Sequence, residues 1–190
     1  MNKAELKAVN SLGLIIAIRM LGLFMILPVF SLYAGKLDGS TPLLMGIALS
    51  AYGLSQAILQ IPFGMMSDKY GRKRIITIGL IIFAVGSIIA ATATNIGMMI
   101  FARIVQGSGA VSAATMALAA DLTQENNRFK AMAMIGMNIG MAFTLSLILG
   151  PILSSHFGIQ GIFWLTSIFA IIAILILNYY VQCLIQDDFA

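Results

Sequence analysis

The apolar runs of this chain are too long, and their connections too short, for a fold built in water. Six segments qualify as spans, roughly 9–34, 43–66, 75–94, 97–120, 131–153 and 159–181. A helix needs about 20 predominantly apolar residues to cross the hydrocarbon of a bilayer. Inside that hydrocarbon every backbone polar group must be satisfied internally, which leaves helices or closed barrels. Continuous apolar runs of this length fit helices. Composition agrees: 60% of the 190 residues are hydrophobic and 9% charged, where a soluble domain keeps about a quarter charged. The expected fold is an all-α membrane protein with six transmembrane helices. The net charge of +4 does not point to nucleic acid, because the cations sit in short loops beside apolar runs, where they orient the chain and meet anionic lipid.

The N-terminus, with Lys3 and Lys7 before an apolar run, superficially resembles a signal peptide. The run from Val9 to Ala34 is longer than an h-region of about 7–15 residues, and Arg19 interrupts it. It reads as a first span that stays attached. Counting Lys and Arg outside the spans sets the topology. Lys3, Lys7, Lys69, Arg72, Lys73, Arg74, Arg128 and Lys130 fall on one side and Lys36 on the other, eight against one. That bias places both termini in the cytoplasm. Ser40-Thr41-Pro42 starts the second span with capping hydroxyls and a proline at the first helical position. Pro28, Pro62 and Pro151 favour kinks. Dividing the chain at residue 94 leaves two sets of three spans in opposite orientation, the arithmetic of a three-plus-three inverted repeat.

Arg19 and Arg103 are the ionisable side chains deep within spans. Each costs about 2.5–3.5 kcal/mol at the bilayer centre on an insertion scale. Each therefore either hydrogen-bonds acceptors between helices or lines a polar transport pathway. No Asp or Glu lies deep in any span, so if the protein moves protons the titrating carboxylate is Asp68 or Asp121 at the span ends, or lies on another chain segment. Tyr52, Gln56 and Gln60 share a helix face, as do Asn138, Ala142 and Ser146 more weakly; either face could line a cavity or join two helices. The small residues from Gly107 to Ala114, and the pair Gly136 and Gly140, read first as packing devices. Cys183 reads as a small apolar filler, and His156 as a solvated loop residue. There is no phosphate-binding loop, metal-ligand cluster or Ser/His/Asp grouping, so neither an enzyme nor a cofactor is expected.

The turn between the second and third spans carries Gly64, Asp68, Lys69, Gly71, Arg72 and Lys73 in the pattern G-x-x-x-D-[RK]-x-G-[RK]-[RK]. This resembles the loop motif of major facilitator transporters. Arg103-Ile-Val-Gln106-Gly107-Ser-Gly109-Ala110 is similar to the family's R-x-x-Q-G-x-G-A pattern in the fourth span. Gly150-Pro151 matches the centre of the fifth-span motif of drug/proton antiporters, with Ser146, Ser154 and Ser155 standing where that motif has glycines. The resemblance covers the whole chain, as the N-terminal six-helix half of a twelve-helix fold, and is nearest to bacterial inner-membrane drug/proton antiporters.

The resemblance implies proton-coupled efflux of small amphipathic compounds by alternating access, in a cell inner membrane. It implies a conformational latch in which Asp68 meets Arg72 and Arg72 meets Asp121. Gly64 would allow close approach of a helix from a second half, Gly71 would permit the turn, and Arg103 would lie in the proton pathway. Because such transporters have twelve spans, the expected partners are protons, a small-molecule substrate, the lipid bilayer and a second six-helix half. A truncated or split gene product is expected over a homodimer. The competing expectation is a non-transporting half that acts as a membrane interaction or regulatory protein.

Overall fold

The computed structural model describes residues 1–181; Cys183, Asp187 and Asp188 lie outside the described residues. The helices are α1 Lys3–Ile26, α2 Phe30–Ala34, α3 Pro42–Tyr70, α4 Arg72–Ala91, α5 Ile96–Ser108, α6 Ser112–Asp121 and α7 Arg128–Ile176. A 3-10 turn, Glu125–Asn127, precedes α7, and a π turn, Leu177–Val181, follows it.

Local chemistry explains most of the boundaries. Glu5 in the first turn of α1 accepts from the Asn2 amide at 2.7 Å, satisfying a donor that the helix cannot. Pro28 lacks an amide donor and disfavours helix in the residue before it. α1 therefore stops at Ile26, and the rest of the first apolar run folds as the separate α2. Thr41 Oγ1 accepts from the Leu44 amide at 3.2 Å, with Pro42 opening α3. Gly71, at φ 94°, makes the corner between α3 and α4. The fourth apolar run is not one helix: it breaks at residues 109–111 between α5 and α6.

Among the described residues, five helical stretches are long and apolar enough to cross a membrane, the last of them Glu125–Tyr179. The fifth and sixth expected spans thus form one helical stretch, interrupted at Gly158, whose φ 65° and ψ 178° are not helical. A straight rod rising about 1.5 Å per residue would put Ala131 and Leu177 roughly 70 Å apart. Both instead pack in one cluster with Val9, Leu12 and Ile15. The rod therefore doubles back at Gly158 into two limbs.

α1 runs between those limbs. Gly13 lies against Asn138, and Gly150 lies against the Met25 carbonyl, so the first limb runs parallel to α1. Thr166 Oγ1 donates to the Gly22 carbonyl at 3.3 Å from the second limb. α4 packs on the second limb and on α5, and α5 packs on α3. Two apolar clusters result. One gathers Met25, Phe30, Leu37, Ala90, Ile96, Met99 and Phe163. The other gathers Leu12, Ile76, Leu80, Leu118, Ile135 and Leu177. Leu23, Tyr52, Phe83 and Ala170 pack as a third, smaller cluster.

Loop contacts sort the charges. At one end Gln124 N–H and Asn127 Nδ2 donate to Glu5, at 2.8 and 3.1 Å, and Arg72 pairs with Asp121. This end gathers the chain termini of α1, α3, α4, α6 and α7 that carry the eight loop cations. At the other end the Ile96 amide donates to the Asp38 carbonyl at 3.1 Å, and the Asp38 amide to the Thr94 carbonyl at 3.4 Å. Gln160 Nε2 also donates there to Tyr33 Oη at 3.1 Å. Lys36 belongs to this second end.

Candidate functional site

The basic end is organised around Arg72. As the first residue of α4 it follows Gly71, whose positive φ holds the corner open to a backbone that other residues rarely adopt. From that corner the guanidinium reaches three acceptors. Nη1 meets Asp68 Oδ1 at 2.6 Å and Ser67 Oγ at 3.2 Å, while Nε donates to Asp121 Oδ2 at the end of α6. Ser67 in turn donates to the Gly64 carbonyl at 2.7 Å. A forked guanidinium can serve two carboxylates on different sides at once; an ammonium cannot match this geometry. The carboxylates are open to solvent, with Asp68 64% and Asp121 54% exposed against 23% for Arg72. Exposed pairs of this kind are worth about 1 kcal/mol or less. The clasp is therefore specific in geometry and weak in energy.

Gly71→Ala tests the corner directly. No atom lies within 4 Å of where its Cβ would sit, so only backbone strain is added. A loss of about 1–3 kcal/mol is expected, read as a lowered thermal midpoint, with the helices retained by circular dichroism.

The second assembly lies inside the bundle. Arg19 from α1 is 2% exposed and Arg103 from α5 is 1% exposed. Arg19 Nη1 donates to Ser112 Oγ at 3.0 Å, and Nη2 donates to Tyr52 Oη and to the Gly109 carbonyl, both at 3.1 Å. The break between α5 and α6 exposes that carbonyl, and Arg19 fills the gap. Arg103 Nη1 donates to Gln106 Oε1, and Gln106 Nε2 donates to Ser87 Oγ at 2.8 Å. Ring faces complete both shells. Arg19 lies 5.1 Å from the centroid of Phe83, and Arg103 lies 4.7 Å from Tyr52 and 6.0 Å from Phe30. Tyr52 thus serves both cations, by its hydroxyl to one and its ring to the other.

Glycines make this possible. A Cβ on Gly107 would run into the Tyr52 carbonyl and Ser55 Oγ, and one on Gly109 into the Gly79 carbonyl. These contacts bring α5 against α3 and against α4 closely enough for Arg103 and Gln106 to be enclosed.

The structure separates the residues singled out in the sequence into groups. Gly64, Asp68, Gly71, Arg72 and Asp121 come together, with Lys73 beside them in the first turn of α4. Arg19, Arg103, Gln106 and Tyr52 come together inside. Gln56 and Gln60 lie further along α3, half-buried and apart from that pair. Asn138 lines a groove of about 450 Å³ with Asn10, Leu14 and Met141. Gly150 and Pro151 sit where the first limb touches α1. Gly136 and Gly140 touch nothing within 4 Å and face away from the described bundle. Sequence reasoning missed Ser67 and Ser87 and read Ser112 as packing, although all three complete the two assemblies. A small hydroxyl in an apolar helix gives no distinctive signal. Glu5 was missed too, because a carboxylate before a span looks solvated.

Comparison with known proteins places this architecture. The family model described as Major Facilitator Superfamily matches residues 12–183. The chain belongs to the Major Facilitator Superfamily. The inner membrane transport protein YajR of Escherichia coli (strain K12) is 48% identical over 170 residues, covering 90% of this chain and 37% of YajR. Multidrug resistance protein 2 of Bacillus subtilis (strain 168) is 33% identical, covering 83% of this chain and 40% of that protein. Among solved structures, the human organic anion transporter MFSD10 superposes with a TM-score of 0.73 at 19% identity, over 95% of this chain and 48% of its own. PepTSo, of the POT family, superposes with a TM-score of 0.76 at 14% identity, over 90% and 36%. At such identities the likeness is one of fold. The chain spans less than half the length of the curated relatives named here. A multi-pass membrane protein of a transporter family, and not an enzyme, is what these matches indicate.

Proposed function

We propose that this chain is the N-terminal half of a proton-coupled secondary transporter that exports small amphipathic compounds by alternating access. The observation that carries the reading is the Arg72 clasp. It joins the α3–α4 corner to the far end of α6 by contacts weak enough to open in a transport cycle. Asp68 and Asp121 are the groups whose protonation would loosen it. Arg19, Arg103, Gln106 and Tyr52 form the interior that opening would expose, with Gln56, Gln60 and Asn138 along its approaches. The name of YajR, an inner membrane transport protein, supports transport, and the drug resistance named for the Bacillus relative fits a small-molecule substrate.

The second half of the reading is an architectural partner. The six segments form a three-plus-three inverted repeat that packs on another six-helix half, in an inner membrane with both termini in the cytoplasm. Eight loop cations at one end support the orientation. Two surfaces support the partner. α3 exposes Leu43, Ile61 and Met65 at about 70% each, and the glycines Gly46, Gly53, Gly136 and Gly140 have open space above them. Glycines on a bare helix face allow close approach of another helix.

The test is proton-driven flux of an amphipathic dye in membrane vesicles, with and without a co-expressed second six-helix half. Asp68→Asn and Arg103→Ala are expected to abolish coupling at unchanged expression. Full coupling in both variants would remove the basis of the reading.

A further inference from the structure

Two buried cations with no buried anion beside them pose a question of charge balance. All seven acidic residues of the sequence stand at positions 5, 38, 68, 121, 125, 187 and 188, away from the interior runs that hold Arg19 and Arg103. At the basic end Arg72 pairs with Asp68 and Asp121. What surrounds the interior pair is neutral throughout: two hydroxyls, one amide, one backbone carbonyl and three rings. Neutral dipoles and ring faces lower the cost of burying a guanidinium without cancelling its charge. In each cation the Nε–H is buried with no hydrogen-bond partner, Arg19 Nε and Arg103 Nε alike. Unfilled charged donors in a place of low dielectric are expensive unless something arrives to fill them.

We infer that the Arg19–Arg103 pair, bridged by Tyr52, is a receptor for the acidic headgroup of an amphipathic organic anion. The inference rests on the transporter reading and names its substrate class. A carboxylate or sulfonate would accept from the spare guanidinium donors, while its apolar body would lie against Phe30, Phe83 and the neighbouring aliphatic side chains. A cationic compound would meet the same field as repulsion, and among the described residues no acidic side chain contacts the pair to receive it. In the present conformation the pair is sealed. Access requires α1, α3 and α6 to part. α6 carries Ser112, bound to Arg19, near one end and Asp121, bound to Arg72, at the other. Release of the clasp and exposure of the pair are thus events on one ten-residue helix.

The experiment uses the purified full chain in lipid nanodiscs and three dyes sharing one ring system. These are anilinonaphthalene sulfonate, uncharged phenylnaphthylamine, and a trimethylammonium analogue. Fluorescence titration is expected to give the sulfonate at least tenfold tighter binding than the other two, over empty nanodiscs. Arg103→Gln and Arg19→Gln are each expected to remove that preference. Should either fail to fold, Arg103→Lys keeps the charge and is expected to retain a preference for the sulfonate at lower affinity. Tyr52→Phe keeps the ring and frees an Arg19 donor, so sulfonate affinity is expected to rise, which loss of a purely structural hydroxyl would not produce. Equal binding of all three dyes, or an unchanged preference in folded Arg103→Gln, overturns the inference and leaves the transporter reading standing. Equal competition by inorganic sulfate would overturn the organic class. Absence of binding by dyes of every charge, with no flux in vesicles, would sink both.

Discussion

Gly107→Val is expected to cost about 3 kcal/mol and to lower the thermal midpoint of the purified protein by roughly 10 °C. The reason is that the new atoms meet backbone, not the tip of a side chain. A Cβ at this position falls on the Tyr52 carbonyl and Ser55 Oγ, and neither can rotate away without shifting α3. Moving α3 outward draws Tyr52 from between Arg19 and Arg103, so the interior pair loses a hydrogen bond and a ring face together. A cation left underpaired inside the protein adds its own penalty to the steric one. Gly46→Ala on the same helix provides the contrast. Nothing lies within 4 Å of that Cβ, and the exchange should be neutral or stabilising by about 0.5–1 kcal/mol through helix propensity. Midpoints that fall equally in the two variants would show that α3 and α5 do not approach each other at Gly107.

Arg72→Ala should separate stability from function. Its partners are exposed, so the loss of both ion pairs is expected to change the unfolding free energy by about 1 kcal/mol or less. Flux, in contrast, is expected to fall by up to about fivefold. The clasp biases a conformational equilibrium, and about 1 kcal/mol is a factor of roughly five in any equilibrium. Arg72→Lys is expected to recover only part of the flux. A single ammonium can reach Asp68 or Asp121 but cannot present one donor to each from the sides of a planar fork. Raising the salt concentration around the wild-type protein should mimic the alanine variant in part, because screening acts on exposed pairs. A large drop in midpoint with unaltered flux would mean that Arg72 holds the fold together and gates nothing.

The parts of the fold legible in the sequence were those written in punctuation and charge. Pro42 with Thr41 marks the start of α3, and Gly64 to Lys73 marks the corner. The distribution of Lys and Arg separates the two ends, and the contacts of Glu5, Asp38 and Tyr33 agree with that division. The breaks were not legible in the same way. Residues 109–111 read as more small apolar residues in a run of them, although the chain leaves the helix there. The reversal at Gly158 does fall in the connection expected between residues 153 and 159, but as one glycine among eighteen it carries no sign of its positive φ.

The same limit applies to faces. Helices that are apolar on every side carry no stripe to show which side meets protein, so Gly107 and Gly136 look alike in sequence. In the structure one is pressed against a carbonyl and the other stands open. For the arginines, burial was legible from the cost of charge in hydrocarbon. Their surroundings were not, because Ser112 and Tyr52 reach Arg19, and Ser87 reaches the Gln106 that holds Arg103, across helices distant in sequence.

The Asp38–Asn95 bridge has a consequence for how the surrounding medium can act on this protein. At that end the loops are held by amide-to-carbonyl bonds and by one phenol–carboxamide contact, none of which carries charge. At the opposite end the fastening is ionic. Ionic strength therefore bears on the fastening at the basic end more than on the uncharged bonds at the other. Added salt should weaken the Arg72 clasp and leave the Asp38–Asn95 bonds in place.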